Sequence, residues 1–312
     1  MPPPPIIFIL GLHRTGTTVL YQLLAETGGF EILTAADVVG FSRVAATSAD
    51  WNGEVVADFA ALERAGHTSR GIDAIPLGPG TPEEYGFVLS NWHAGWSLTQ
   101  GNVGLFREMC GVLRRRSVGR PLLVKNPWDF GNASWIRSQF PDARFVFLHR
   151  DPRETLSSTL RMMLAYLNHR NPYLAILSAS YRRFIEAGFP FRVARWVCVN
   201  HADWIVRAAL WHSARRAARY LRERPLLPQD RCYDLRFDDL CADPRGSLNS
   251  LFAFLHVDAD STTHAAQVKR PPVRIAPEVV RHEVRIRRAF AKYARQLGYD
   301  LGAPLAGDEH PR

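Results

Sequence analysis

Short apolar runs alternate with helical periodicity along most of the chain. Ile6–Leu10, bounded by Pro5 and Gly11, is a β-branched-rich run of the kind that fills a parallel strand buried on both faces. Thr17–Glu26 then places Val19, Leu20, Leu23 and Leu24 at helical spacing. The alternation recurs downstream. Strands are expected at Leu122–Val124, Phe145–Leu148 and Cys232–Phe237. Helices are expected at Ala133–Phe140, Arg153–Asn168, Tyr173–Ala187, His201–Glu223, Pro244–Leu255 and Val279–Leu297. Residues 28–105 break the pattern: they are rich in glycine, proline and aromatics and read as irregular. Strands separated by helices predict an α/β fold with a central parallel sheet flanked by helices on both faces. Neither a repeat nor a linker divides the pattern, so one domain over residues 1–312 is the expectation.

Composition narrows the class. Hydrophobic residues make up 46% and charged residues 22% of 312, which excludes a disordered, collagen-like or small disulfide-stapled chain. The net charge of +9 asks for an anionic partner: nucleic acid, a membrane surface or a small phosphorylated ligand. The arginines are scattered, with clusters at 114–116, 215–224 and 281–295. In an Arg-rich stretch Trp196, Trp204 and Trp211 lie at roughly helical spacing and are expected to pack their helix on the body. The cysteines Cys110, Cys198, Cys232 and Cys241 show no CxxC spacing, so no metal site is expected and free thiols in a reducing compartment are. The first apolar run is too short for a signal peptide or a span, and a soluble cytoplasmic protein without a membrane span is the expectation.

The chemistry concentrates at strand ends. Gly11-Leu12-His13-Arg14-Thr15-Gly16-Thr17-Thr18 has the GxxxxG frame of a phosphate-binding loop and lies between an expected strand and an expected helix. Backbone N–H groups of such a loop, with the helix dipole behind them, favour an anion, and glycine permits the close approach. A strand–turn–helix corner without a ligand is the alternative. A nucleoside triphosphatase needs lysine after the second glycine, but Thr17 stands there and the cation has moved to Arg14. A planar guanidinium can clamp a phosphate or sulfonate, so anion binding is retained while the Mg-nucleotide machinery is not. A second strand, ending in His149-Arg150-Asp151-Pro152, repeats the logic: Arg150 is delivered at a carboxyl end and Ser158 lies two turns into the following helix.

Together these segments resemble the PAPS-dependent sulfotransferases. GLHRTGTT and FVFLHRDPRETLSS stand in the family's order. Leu123-Val124-Lys125-Asn126-Pro127 resembles its Lys-x-Pro segment, Phe140-Pro141-Asp142-Ala143-Arg144 its run into the 3′-phosphate strand, and Leu235-Arg236-Phe237-Asp238-Asp239-Leu240 through Asp243-Pro244 to Phe254-Leu255 its C-terminal segment. The bacterial branch, with arginine in the 5′ loop, is the most similar. The resemblance implies the P-loop nucleotide-hydrolase-like architecture, PAPS as cofactor, and a small-molecule, carbohydrate or lipid acceptor on the side of residues 28–105 and 170–225, with no nucleic-acid partner. It implies that Arg14, Thr15, Gly16, Thr17 and Thr18 hold the 5′-phosphosulfate. It further implies that Arg150 and Ser158 hold the 3′-phosphate. Lys125 joins Arg14 as a catalytic cation. Phe237 replaces a frequent tyrosine, and Lys269 and Arg270 fall near a basic 3′-phosphate contact.

The base that takes the acceptor's proton is not given by the resemblance. Animal cytosolic relatives have histidine where Pro127 stands, and the stretch after the first helix offers only Glu31 and Asp37. Thr81-Pro82-Glu83-Glu84-Tyr85 resembles an acidic segment of bacterial relatives, which makes Glu84 the expected base, with His93 and Asp37 behind it. His13 and His149 are expected to be ligand-contacting or structural. Tyr85, Phe87, Trp92, Trp96 and Phe106 form an aromatic-dense stretch that suits either core or an apolar acceptor pocket. A small-molecule P-loop kinase and a PAP-binding protein without activity are the competing functions, and the first is opposed by Thr17.

Overall fold

The computed structural model describes residues 4–43, 52–71, 75–92, 95–117 and 119–303. Five parallel strands form one sheet: β1 (Ile6–Gly11), β2 (Glu31–Ile32), β3 (Leu122–Lys125), β4 (Arg144–His149) and β5 (Cys232–Arg236), in the order β2-β3-β1-β4-β5. β1 is central. Ile7 pairs with Leu123 on one side and Arg144 on the other, and every residue of β1 is buried. Strand alternation splits its apolar residues between two cores. Phe8 and Leu10 face one side, where the Phe8 ring stacks on Phe106 and Phe145 at 5.8 and 5.6 Å. Ile7 and Ile9 face the other, among Leu20, Tyr21, Leu24 and Leu251. The chain leaves β1 toward β2 and β3 on one side and later returns to β4 and β5 on the other. That reversal opens a crevice at the carboxyl ends of β1, β3 and β4.

Helices cover both faces, and four departures from the sequence pattern have physical causes. The described residues within 28–105 are not all irregular: they hold β2 and the helices Ala35–Arg43, Asn52–Arg64 and Tyr85–Trp92. The expected helix Tyr173–Ala187 breaks at Ser178, whose extended backbone ends Pro172–Leu177 and whose hydroxyl caps Ala179–Glu186 by accepting from the Tyr181 amide. Val279–Leu297 divides at His282 into Pro277–Arg281 and Glu283–Leu297. The tryptophans do not pack inward: Trp196, Trp204 and Trp211 are 63%, 65% and 62% exposed. The helix Ala202–Glu223 buries Ile205, Val206, Leu210, Ala217 and Tyr220 instead, and Trp204 and Trp211, two turns apart, fall on its opposite side.

Candidate active site

The anion loop is built by close packing. Gly11 ends β1 where a Cβ would stand 2.7 Å from the Leu148 carbonyl of β4, so only glycine lets the chain turn there. Arg14 and Gly16 both adopt positive φ, 68° and 100°, which turns successive amides outward. The Thr15 side chain turns inward: it is fully buried, and its hydroxyl donates to the Leu12 carbonyl at 2.8 Å, bracing the loop from inside. The helix α1 (Thr17–Glu26) starts immediately after Gly16 with no side chain capping its first amides. Gly16, Thr17, Thr18, His13 and Arg14 face a cavity of about 770 Å³.

A cationic wall stands opposite α1. Arg14 Nε donates to Ser158 Oγ at 3.0 Å, so the two anion loops named in the sequence touch. Arg150 lies 4.7 Å over the Phe237 ring, pairs with Glu154 at 2.6 Å and reaches the Arg14 carbonyl at 3.5 Å. Lys269 lines the same cavity. Arg270 is held back from it by Glu154 at 3.3 Å and Asp238 at 2.8 Å. Two further arginines, Arg161 and Arg274, also line the wall and were not found by sequence reasoning. Burial, and then the charges of Arg14, Arg150 and Arg274, hold the Arg161 guanidinium below its usual range. Arg161 lies on the helix face of Glu154 and Ser158, a spacing that could have revealed it; Arg274 follows Pro271-Pro272-Val273 with no such signal.

The acidic side of the cavity is set by a buried pair. Lys125, fully buried at the end of β3, donates to Thr18 Oγ1 at 2.8 Å and lies 3.1 Å from Glu84. A short parallel bridge between the backbones of Glu84 and Lys125 brings them together. Burial raises the affinity of Glu84 for a proton, but the charges of Lys125, His13 and Arg70 outweigh it, and its carboxyl lies below the usual range. Glu84 therefore faces the cavity as a carboxylate. The supporting hub is Asp129, which accepts from Tyr85 Oη at 2.7 Å, Asn126 Nδ2 at 2.9 Å and Asn132 Nδ2 at 2.8 Å and so fixes the turn after Lys125.

Other acids and histidines sort by geometry. Glu83 is fully buried and accepts from Tyr173 at 2.7 Å. Asp37, named as a reserve base, accepts from the Thr34 amide at 2.8 Å and pairs with Arg116 at 2.6 Å; together with Glu31, also bound by Arg116, it is spent on the fold. His93 lies outside the described residues. His149 is buried in the body, against Tyr293 at 3.0 Å and Asp234 at 3.1 Å. His13 lines the cavity edge-on to Trp128 at 4.4 Å, and burial lowers its pKa to about 4. Of the aromatic stretch, Phe87 and Trp96 line the cavity while Tyr85 and Phe106 fill the core.

A family model described as "Sulfotransferase family" matches residues 5–207 and 167–261 of this chain. The chain belongs to the sulfotransferase family. It is an enzyme of sulfuryl transfer, with the P-loop-like fold of that family. Two solved structures are similar to this sulfotransferase. The sulfotransferase STF9 from Mycobacterium avium superposes with a TM-score of 0.67 at 16% identity, covering 97% of this chain and 79% of that one. STF1 from Mycobacterium tuberculosis H37Rv gives 0.59 at 17% identity, covering 93% and 77%. At that identity the likeness is one of fold. No curated protein sequence matches this sulfotransferase.

Proposed function

We propose that this sulfotransferase uses PAPS and passes its sulfuryl group to a hydroxyl or amine of a small apolar acceptor. The observation that carries the donor is the convergence of Arg14, Arg150, Arg161, Arg274 and Lys269 with the uncapped start of α1 around one cavity. The residues fit a nucleotide with two separate anionic groups: the loop 14–18 with α1 would hold one, and Arg150, Ser158 and Lys269 the other. When bound, PAPS supplies an activated sulfuryl group. Arg14 and the α1 amides hold negative charge fixed at the loop, where it grows as transfer proceeds. The Phe237 ring orients Arg150 by its face. Phe87, Trp96 and Trp128 form the apolar wall on the side of Glu84 and suit an apolar or aromatic acceptor. The Glu84 carboxylate takes the acceptor's proton, and Lys125 keeps that carboxylate charged and aimed.

A thermal shift with PAP and ³⁵S transfer from labelled PAPS across an acceptor panel test the reading together. PAP should raise the midpoint of the wild type and fail to raise that of Arg14→Ala or Arg150→Ala. No stabilisation by PAP in the wild type would overturn the donor assignment. His13 is the second reading for the base, because its Nε2 is buried without a hydrogen-bond partner at the cavity wall. Full activity in Glu84→Gln, with loss in His13→Ala, would move the role to His13.

A further inference from the structure

Two consecutive helices present an outward face that the transfer chemistry does not use. Along Phe189–Asn200 the exposed positions include Phe189, Arg192, Val193, Trp196 and Val199, one stripe at helical spacing, with Phe189 68% exposed. Along Ala202–Glu223 the outward stripe reads Trp204, Arg207, Trp211, Arg215, Arg219 and Arg222. No aspartate or glutamate stands in either stripe; Asp203 and Glu223 of the second helix are engaged by Arg281 and Arg219, and the exposed Glu186 precedes the first helix by three residues. The aromatic and cationic groups are coupled: the Arg207 guanidinium lies 5.7 Å from the Trp204 ring, and that of Arg215 4.8 Å from the Trp211 ring. Trp211, Arg215, Arg219 and Arg222 also line a groove of about 960 Å³, whose wall Trp128 is shared with the catalytic cavity.

We propose that this face docks the enzyme on the surface of an anionic phospholipid bilayer. Exposing Phe189, Val193, Trp196, Val199, Trp204 and Trp211 to water is costly, so the stripe calls for an apolar contact. A second copy of the chain would set arginine against arginine on a molecule of net charge +9. A polynucleotide would satisfy the arginines and leave Phe189, Val193 and Val199 unused. A bilayer surface satisfies both sets at once: tryptophan and the aliphatic side chains enter the headgroup boundary, and arginine meets lipid phosphate. Among the described residues no helix is long and apolar enough to cross a membrane, so the attachment is peripheral. The proposal does not depend on the identity of the sulfuryl donor.

The test is co-sedimentation of the full chain with phosphatidylcholine vesicles, with and without phosphatidylglycerol, followed also by tryptophan emission. Binding should require phosphatidylglycerol, shift the emission to the blue and weaken with added salt. Arg207→Glu with Arg215→Glu should weaken binding by about 30-fold or more. Trp196→Ala with Trp204→Ala and Trp211→Ala should remove the blue shift, while the thermal midpoint of both variants stays at the wild-type value. Equal binding to both vesicles, binding to neither, or variants that bind like the wild type would each overturn the proposal. A wild-type dimer in solution that the same variants dissociate would overturn it in favour of a second copy.

Discussion

A buried ammonium survives only with partners, and Lys125 has two, the Thr18 hydroxyl at 2.8 Å and the Glu84 carboxylate at 3.1 Å. The pair links the anion loop to the acid across the cavity floor. Removing either member has unequal consequences. Lys125→Met leaves a part-buried carboxylate without its countercharge and should destabilise the enzyme by about 3–5 kcal/mol in urea denaturation. Glu84→Gln keeps an acceptor for Lys125, so the loss of stability should be smaller. Turnover should nonetheless fall by at least ~100-fold, with PAP affinity unchanged, in parallel steady-state and binding measurements. Each residue was separately legible in the sequence, Lys125 at a strand end and Glu84 in an acidic segment after Pro82. Their pairing was not, because a single backbone bridge between Glu84 and Lys125 makes it and a lone bridge leaves no periodic trace. Asp129 was missed for a related reason: besides Asn126 and Asn132 of its own turn, its role rests on hydrogen bonds from Tyr85 and Leu98, brought to it by folding.

At the level of elements, the loop between β1 and α1 depends on one aromatic ring. Gly16 has φ 100°, and a Cβ there would lie 2.7 Å from two carbons of the Phe237 ring. Gly16→Ala therefore carries both backbone strain and overlap, and should cost on the order of 2–4 kcal/mol and abolish the thermal shift with PAP. Adding Phe237→Ala should cost less in the Gly16→Ala background than in the wild type, because it relieves the overlap, and should not restore the PAP response. That double variant frees the loop but also removes the ring that faces Arg150 at 4.7 Å. The frame of the loop, its strand and its helix were readable from Gly11, Gly16 and the periodicity of α1. The part of Phe237 was not: the sequence suggests only a lost hydroxyl, whereas the ring itself is the contact. Helix breaks were hidden in the same way. Ser178 and His282 interrupt otherwise unbroken periodic stretches without a proline or glycine at the break, Ser178 through its hydroxyl cap and His282 with no side-chain cap.

For the whole molecule, the parallel sheet and the crevice at its carboxyl ends followed from the order of apolar runs, while its edge strand β2, two residues long, is too short to show a pattern. Nor could periodicity say which side of Ala202–Glu223 is inward, since tryptophan, alanine and isoleucine all recur along it. The folded body also imposes a charge state that its unfolded chain does not share. Burial holds His13 near a pKa of about 4 and lowers that of His149, while hydrogen bonds from His149 and Tyr220 bring Asp234 to about 2 against the opposing effect of burial. As pH falls from the ordinary histidine range of 6.5 toward 4, the unfolded chain takes up protons that folded His13 refuses, so stability falls with pH through that window. His149 acts in the same direction, and Asp129, whose pKa burial raises, acts in the opposite one at the acid end. Because Lys125 and Arg70 also keep Glu84 charged, acid should unfold the enzyme before it silences that carboxylate. Urea denaturation of the wild type across this range should show a steady loss of stability, and His13→Asn should recover on the order of 1–2 kcal/mol of the loss at the acid end while changing little near neutral pH. An unchanged slope in His13→Asn would assign the acid sensitivity to His149 and its hydrogen bonds to Tyr293 and Asp234.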